Sequence, residues 1–82
     1  MKIGLRIQKL DEMITSHYDL IWDCCCDHGM LGMKLLQRRA ASQLHFVEIV
    51  EQLTIQLEQK LNRFFSSEEF ENKWQVHFAA ML

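Results

Sequence analysis

The sequence predicts an α/β fold with a parallel sheet, because two kinds of apolar pattern alternate along it. Segments with the spacing of amphipathic helices alternate with short apolar runs typical of strands, in the order helix, β, α, β, α, β. Strands separated by helices imply right-handed crossovers and parallel pairing. The chain has 82 residues, no proline and three glycines, and an all-β protein with tight turns needs more of both. We therefore expect half of a doubly wound domain.

Composition and charge exclude several classes of protein. A chain of 82 residues with 49% hydrophobic and 24% charged residues has room for one small core and is not disordered. With a net charge of -2, the chain lacks the excess of basic residues that a stand-alone nucleic-acid binder has. No apolar run approaches the roughly 18 residues of a membrane helix, and no secretory signal opens the chain. We expect a cytoplasmic protein.

The first predicted element is an amphipathic helix that runs to about Ser16. Its apolar positions follow one another at spacings of four, three and four: Ile3, Ile7, Leu10 and Ile14. Polar residues cover the opposite face: Lys2, Arg6, Gln8, Lys9, Asp11 and Glu12. We assign residues 1–17 to this helix and residues 18–82 to a β-α-β-α-β unit.

The β-α-β part begins with a short buried strand at residues 19–23, which places Trp22 in the core and Asp23 at the carboxyl end. A second helix starts at Gly29, and Arg38 and Arg39 follow in its last turn, where cations suit the helix dipole. These two arginines could belong to a basic patch with Lys2, Arg6 and Lys9, but a solvated helix face is the simpler interpretation.

The second half of the sequence predicts two further strands and a third helix. Residues 44–50 form the clearest strand, which is apolar except at His45 and Glu48 and is typical of a strand covered on both faces. His45 is expected to be structural. The third helix is marked by Leu53, Leu57, Leu61 and Phe64. Residues 66–73 form a connector with one helical turn, and residues 74–78 form the last strand, with Phe46 and Trp74 in the core.

The predicted first strand keeps an open hydrogen-bonding edge in what is normally a larger sheet. We therefore expect a truncated domain that is marginally stable and self-associates through this edge.

Two acidic residues stand where a doubly wound fold binds its ligands, outside the carboxyl ends of the strands. Asp23 opens the turn at residues 23–29, and Glu48 ends the second strand, 25 positions later. An acid about 20 residues past such a turn is placed to bind a ribose diol. Asp27 is placed to cap the following helix. A ligand site and two solvated carboxylates are equally compatible with this spacing.

Three consecutive cysteines, Cys24, Cys25 and Cys26, raise the question of a metal or redox site. Adjacent thiols do not match the spacing of zinc ligands, and the sequence has no second cysteine pair and no C-x-x-C motif. We expect small residues packed against a backbone turn, and no metal.

Three segments resemble the bacterial tRNA (adenine-N1)-methyltransferase family. They are residues 2–8 (KIGLRIQ), 22–28 (WDCCCDH) and 46–49 (FVEI), which match an L-S-x-R-L-like helix, a D-x-G-S-D-H turn and a G-E-I strand end. The resemblance covers this chain but only the N-terminal third of a full-length member. It implies a Rossmann-like class I fold and S-adenosyl-L-methionine as cofactor. It also implies tRNA as partner, bound mainly through regions outside these residues.

The resemblance also assigns roles residue by residue. Asp23 matches the acid that holds the methionine end of the cofactor, and Asp27 and His28 match the Asp-His that lines the same pocket. Glu48 matches the acid that binds the ribose hydroxyls. Cys25 stands where the family has glycine. These five residues are the predicted cofactor site.

The third strand of the family ends in an aspartate that contacts the adenine amine, and Ala80 stands at that position here. No residue of this sequence is an obvious general base. Two functions follow as hypotheses. The first is the cofactor-binding part of a tRNA adenine-N1 methyltransferase that is not competent alone. The second is a non-catalytic module for interaction or oligomerisation.

Overall fold

Three parallel strands in the order β1-β2-β3 form the centre of the molecule, with the helices packed against them. A computed structural model describes residues 5–24 and 28–81. The elements are α1 (Leu5–Met13), β1 (Tyr18–Asp23), α2 (Met30–Gln37), β2 (Ala41–Glu48), α3 (Glu51–Phe64) and β3 (Trp74–Phe78). Short 3₁₀ turns cover Glu68–Phe70 and Ala79–Met81. The predicted fold class is confirmed.

The strand register brings the carboxyl ends of the three strands to one edge of the sheet. Asp23, the last residue of β1, lies beside Phe46 of β2. Glu48, the last residue of β2, lies beside Phe78 of β3. Measured along the strand direction, Glu48 therefore lies two residues, or about 7 Å, beyond the level of Asp23.

The core lies between one face of the sheet and helices α2 and α3. Phe46 and Leu44 point from β2 into this layer and are almost fully buried, as are Met33, Leu35 and Leu61 of the helices. At the end of α3 the sequence prediction was wrong by one residue, because Phe65 is buried while Phe64 is half-exposed. The helix ends at Phe64, and Phe65 turns inward against Phe70.

Helix α1 is shorter than predicted and is held by a partly buried ion pair. It ends at Met13 rather than near Ser16, because Arg38 donates hydrogen bonds to the backbone oxygens of Asp11, at 3.0 Å, and Ile14, at 2.7 Å. The Nε of Arg38 also donates to the Asp11 carboxylate at 2.8 Å. Asp11, predicted on the solvated face, is buried. Arg38 thus joins α1 to the end of α2 and is no free surface cation.

The sheet face turned away from α2 and α3 is less covered than predicted. Tyr18, Leu20 and Trp22 alternate along β1, and each is about half-exposed. The expectation that β1 is buried and that Trp22 belongs to the core was therefore wrong. In the described part of the chain, no helix is long and apolar enough to cross a membrane.

Candidate functional site

The carboxylate of Asp23 connects the end of β1 to the first turn of α2. Its Oδ2 accepts a hydrogen bond of 2.8 Å from the backbone N–H of Gly32, one of the N–H groups that a helix leaves unpaired in its first turn. The N-cap position itself belongs to Gly29, which provides no side chain. Asp23 therefore caps α2 from the neighbouring strand. The cap predicted at Asp27 lies outside the described residues.

Two glycines let α2 approach the sheet closely at this point. A Cβ on Gly32 would overlap both Oδ2 of Asp23 and Cε1 of Phe46. Gly29 adopts a φ of +79°, which disfavours other residues, and a Cβ there would lie 2.8 Å from Cδ1 of Leu57. The absence of side chains at these two buried positions lets the start of α2 pack directly against Asp23, Phe46 and Leu57.

Glu48 is a buried carboxylate with one oxygen engaged by the backbone. Its side chain ends β2 with only 6% of the residue exposed. Oε1 accepts hydrogen bonds from the backbone N–H groups of Ile49, at 2.9 Å, and Val50, at 3.2 Å. Among the described residues, no hydrogen bond is formed to Oε2. Because buried carboxylate oxygens normally have partners, this oxygen is a candidate acceptor for a ligand.

Glu48 and His28 line one cavity of about 110 Å³, whose other walls come from α3: Leu53, Gln56, Leu57 and Lys60. The structure thus brings together two of the predicted site residues that are 20 positions apart in the sequence. His28 has a φ of +61°, a conformation that is uncommon for residues with a side chain. The turn therefore holds the imidazole beside the end of β2.

The structure does not describe two of the remaining predicted site residues. Cys25 and Asp27 lie outside the described residues. Ala80 is exposed in the 3₁₀ turn after β3, at the same edge of the sheet as Glu48.

One residue of this edge was missed by the sequence analysis. Ile49 directly follows Glu48 and is 77% exposed, the highest exposure among the large apolar residues of the described chain. The apolar run at residues 44–50 made Ile49 look like part of a buried strand. In the structure β2 ends at Glu48, two residues before the predicted end, and the side chain of Ile49 is exposed. An isoleucine after a strand-terminal acid was the available signal.

Comparison with known proteins shows the family to which this chain belongs. The family model described as "Methyltransferase domain" matches residues 3–82. The chain belongs to the methyltransferase domain family. This membership confirms the sequence resemblance at the level of the family, and no curated protein matches the chain significantly.

The methyltransferase domain also has a structural neighbour. It is similar to the crystal structure of Sp1610 from Streptococcus pneumoniae, which is proposed in its description to be a tRNA (m1A22) methyltransferase. The TM-score is 0.73, the sequences are 19% identical, and the match covers 94% of this chain and 32% of the neighbour. The similarity supports the fold, and this chain spans about a third of that protein's length.

The methyltransferase domain carries a second polar cluster on the less covered face of the sheet. Nδ1 of His45 lies 2.8 Å from Nε2 of His77, the ring centroids are 5.0 Å apart and the planes differ by 12°. These values place the two rings edge to edge, with the nitrogens pointing at each other. Nε2 of His45 lies 3.1 Å from Oε1 of Gln43, which can only accept. His45 therefore carries its proton on Nε2, and His77 donates to Nδ1.

This arrangement opposes the protonation of His45. Burial lowers the pKa of His45, and the neighbouring His77 lowers it further. Trp22 of β1 packs against both rings at centroid distances of 4.8 and 5.2 Å. The predicted structural role of His45 agrees with these contacts.

We expect the stability of the domain to fall on acidification because of this pair. As the pH falls, His45 of the unfolded chain binds a proton near pH 6.5, the ordinary pKa of histidine. His45 of the folded chain binds this proton only at a lower pH. The contribution of His45 is present above that pH and is lost as the pH falls through its lowered pKa. Thermal unfolding between about pH 8 and pH 5 measures this loss. His45→Gln should have a flatter profile. His17→Gln, which leaves the pair intact, should match the wild type, and identical profiles for all three proteins would refute the assignment.

Proposed function

We propose that this chain is the cofactor-binding part of an S-adenosyl-L-methionine-dependent methyltransferase that acts on N1 of an adenine in tRNA. The observation that carries the proposal is the geometry of Glu48. It combines a buried carboxylate at the end of β2, one oxygen fixed by two backbone N–H groups and a cavity shared with His28. Family membership supports methyl transfer, and the sequence motifs with the structural neighbour support the tRNA substrate.

Glu48 is suited to bind the ribose of the cofactor. The 2′ and 3′ hydroxyls are two adjacent donors, and a carboxylate offers acceptors only. Since Oε1 already bonds the backbone of Ile49 and Val50, the carboxylate is held in place before the ligand arrives. A ligand that bonds Oε2 therefore meets an acceptor with little remaining freedom.

The cavity beside Glu48 holds only part of the cofactor. Its volume of about 110 Å³ is smaller than the roughly 300 Å³ at which pockets for whole small molecules begin. The ribose occupies this cavity, and the adenine lies over the exposed side chain of Ile49, where an apolar surface suits the face of a purine. The methyl donor itself supplies an electrophilic methyl group on a sulfonium.

The methionine end of the cofactor lies toward Asp23 and the start of α2. The ammonium group of that end suits the Asp23 carboxylate, and its carboxylate suits the N-terminal backbone of the helix. His28 borders the same region and is a donor or acceptor for the ligand.

The tRNA-binding part belongs to residues beyond the matched third of the neighbour. A target adenine has to leave its stack to reach the methyl donor, and no residue described here is assigned as general base. We therefore propose that these 82 residues bind the cofactor without transferring its methyl group, in a protein located in the cytoplasm.

Cofactor binding tests the proposal directly. We expect the chain to bind S-adenosylhomocysteine in isothermal titration calorimetry and Glu48→Gln to weaken the affinity about 10- to 100-fold, as for the loss of a charged hydrogen bond. Glutamine keeps the Oε1 acceptor for the backbone, so the loop stays folded. Glu51→Gln, an exposed acid in the first turn of α3, is the matched control and should bind like wild type. Equal affinities for both variants would exclude a ribose role for Glu48.

A further inference from the structure

The cavity beside Glu48 has a wall that the proposed function leaves unexplained. This wall is a stripe along one face of α3, formed by Leu53, Gln56, Leu57 and Lys60. Leucines in such a stripe are ordinary packing, but a charged residue there is unusual. Lys60 is partly buried, whereas the other charged residues of the helix are exposed: Glu51, Glu58 and Arg63. The position of the Lys60 ammonium group therefore calls for a partner.

Lys60 has no acidic partner in the described part of the chain. Its neighbours at helical spacings of three and four residues include no acid: Gln56, Leu57, Arg63 and Phe64. Neither of the ion pairs among the described residues involves Lys60. The acid that lines the same cavity is Glu48, whose Oε2 forms no hydrogen bond within that part of the structure. A cation and an acceptor thus stand on two walls of one small cavity without pairing.

We propose that Lys60 donates a hydrogen bond to a ribose hydroxyl of the cofactor, and that this hydroxyl in turn donates to Oε2 of Glu48. A hydroxyl suits the position between them because it both donates and accepts, whereas an ammonium only donates and a carboxylate only accepts. The bridge satisfies two charged groups that are costly to leave unpaired away from water. The inference rests on the proposed function, since it needs Glu48 to bind the ribose.

The bridge makes Lys60 a residue that determines specificity for the ribose. Oε1 of Glu48 already accepts hydrogen bonds from the backbone of Ile49 and Val50, so one hydroxyl, on Oε2, forms the bridge. A ligand without that hydroxyl leaves the ammonium and Oε2 without partners. Sites built to bond a hydroxyl reject analogues that lack it, because their own polar groups are then unpaired. The cavity therefore selects a ribonucleoside over the corresponding deoxynucleoside.

Binding of S-adenosylhomocysteine and of its 2′-deoxy and 3′-deoxy analogues to the whole chain tests the bridge by isothermal titration calorimetry. Lys60→Met keeps an unbranched apolar side chain and removes the charge. We expect it to weaken the binding of S-adenosylhomocysteine about 10- to 100-fold, as for the loss of a charged hydrogen bond. The analogue without the bridging hydroxyl should bind wild type and Lys60→Met equally. The other analogue should keep the full difference between the two proteins.

Arg63→Met is the matched control, because it removes a charge from the same helix at an exposed position outside the cavity. It should bind all three ligands like wild type. Equal affinities of wild type and Lys60→Met for S-adenosylhomocysteine would overturn the bridge. A loss of the same size with all three ligands would also overturn it, because a general disturbance of the site has that effect.

Glu48→Gln separates this inference from the proposed function. If Glu48→Gln weakens the binding of S-adenosylhomocysteine and Lys60→Met does not, Glu48 binds the ribose without Lys60, and the bridge alone is wrong. If Glu48→Gln binds like wild type, or if the chain does not bind S-adenosylhomocysteine, both proposals are wrong.

Discussion

Replacing Gly32 by alanine is expected to destabilise the chain by about 3 kcal/mol, a large part of the 5–15 kcal/mol typical of small domains. The added methyl group would overlap Oδ2 of Asp23 and the ring of Phe46, which is fully buried. The helix has to move away from the sheet, which breaks the hydrogen bond from the Gly32 N–H to Asp23. Urea denaturation followed by circular dichroism measures the loss. Lys34→Ala, in the same helix, should change stability little.

A double mutant separates this steric cause from a general loss of helix structure. Phe46→Leu removes ring atoms that the new methyl group meets, so it should relieve part of the overlap. The combined change is expected to cost at least about 1 kcal/mol less than the sum of the two single changes. Strict additivity would show that the alanine acts elsewhere. The same overlap displaces the Asp23 carboxylate, so the proposed cofactor site should fail together with the packing.

The sequence predicted the bounds of β1 and β3 to within one residue, whereas the strand predicted at residues 44–50 runs from Ala41 to Glu48. β3 was placed correctly, and the acids Asp23 and Glu48 stand at the carboxyl ends of β1 and β2 as expected. Gly32 was not identified as a site of close packing, although it stands in a predicted helix. Its importance depends on Phe46, which lies 14 positions away, and no local pattern reports that contact.

The predictions that failed depend on neighbours rather than on sequence periodicity. Trp22 was assigned to the core because apolar strands are usually covered, but coverage of β1 depends on which elements pack against its outer face. Asp11 was assigned to solvent because it stands among polar residues of an amphipathic helix. Its burial follows from Arg38, 27 positions later, and composition does not show which charges pair. Ile49 was missed for a related reason, since the end of β2 is set by the backbone bonds to Glu48.

The ion pair between Asp11 and Arg38 leads to the second large expected effect. Arg38→Met should destabilise the chain by about 2–3 kcal/mol, because it leaves a buried carboxylate unpaired, while the 37% exposure of the Arg38 side chain lets water screen part of the loss. The backbone oxygens of Asp11 and Ile14 also lose their donor. We expect α1 to detach before the sheet unfolds, which amide hydrogen exchange at residues 5–13 measures.

The neighbouring arginine provides the matched control for this prediction. Arg39 pairs with Glu69 at 2.6 Å, but both side chains are more than half exposed, so Arg39→Met should cost less than about 0.5 kcal/mol. Adding Asp11→Leu to Arg38→Met should restore much of the stability, because an apolar pair has no charge to desolvate. Equal losses for the two arginines, or no recovery in the double mutant, would show that α1 is held by its apolar contacts. If the prediction holds, Arg38 attaches α1 to the end of α2 by pairing with the buried Asp11 carboxylate, which would be costly to leave unpaired.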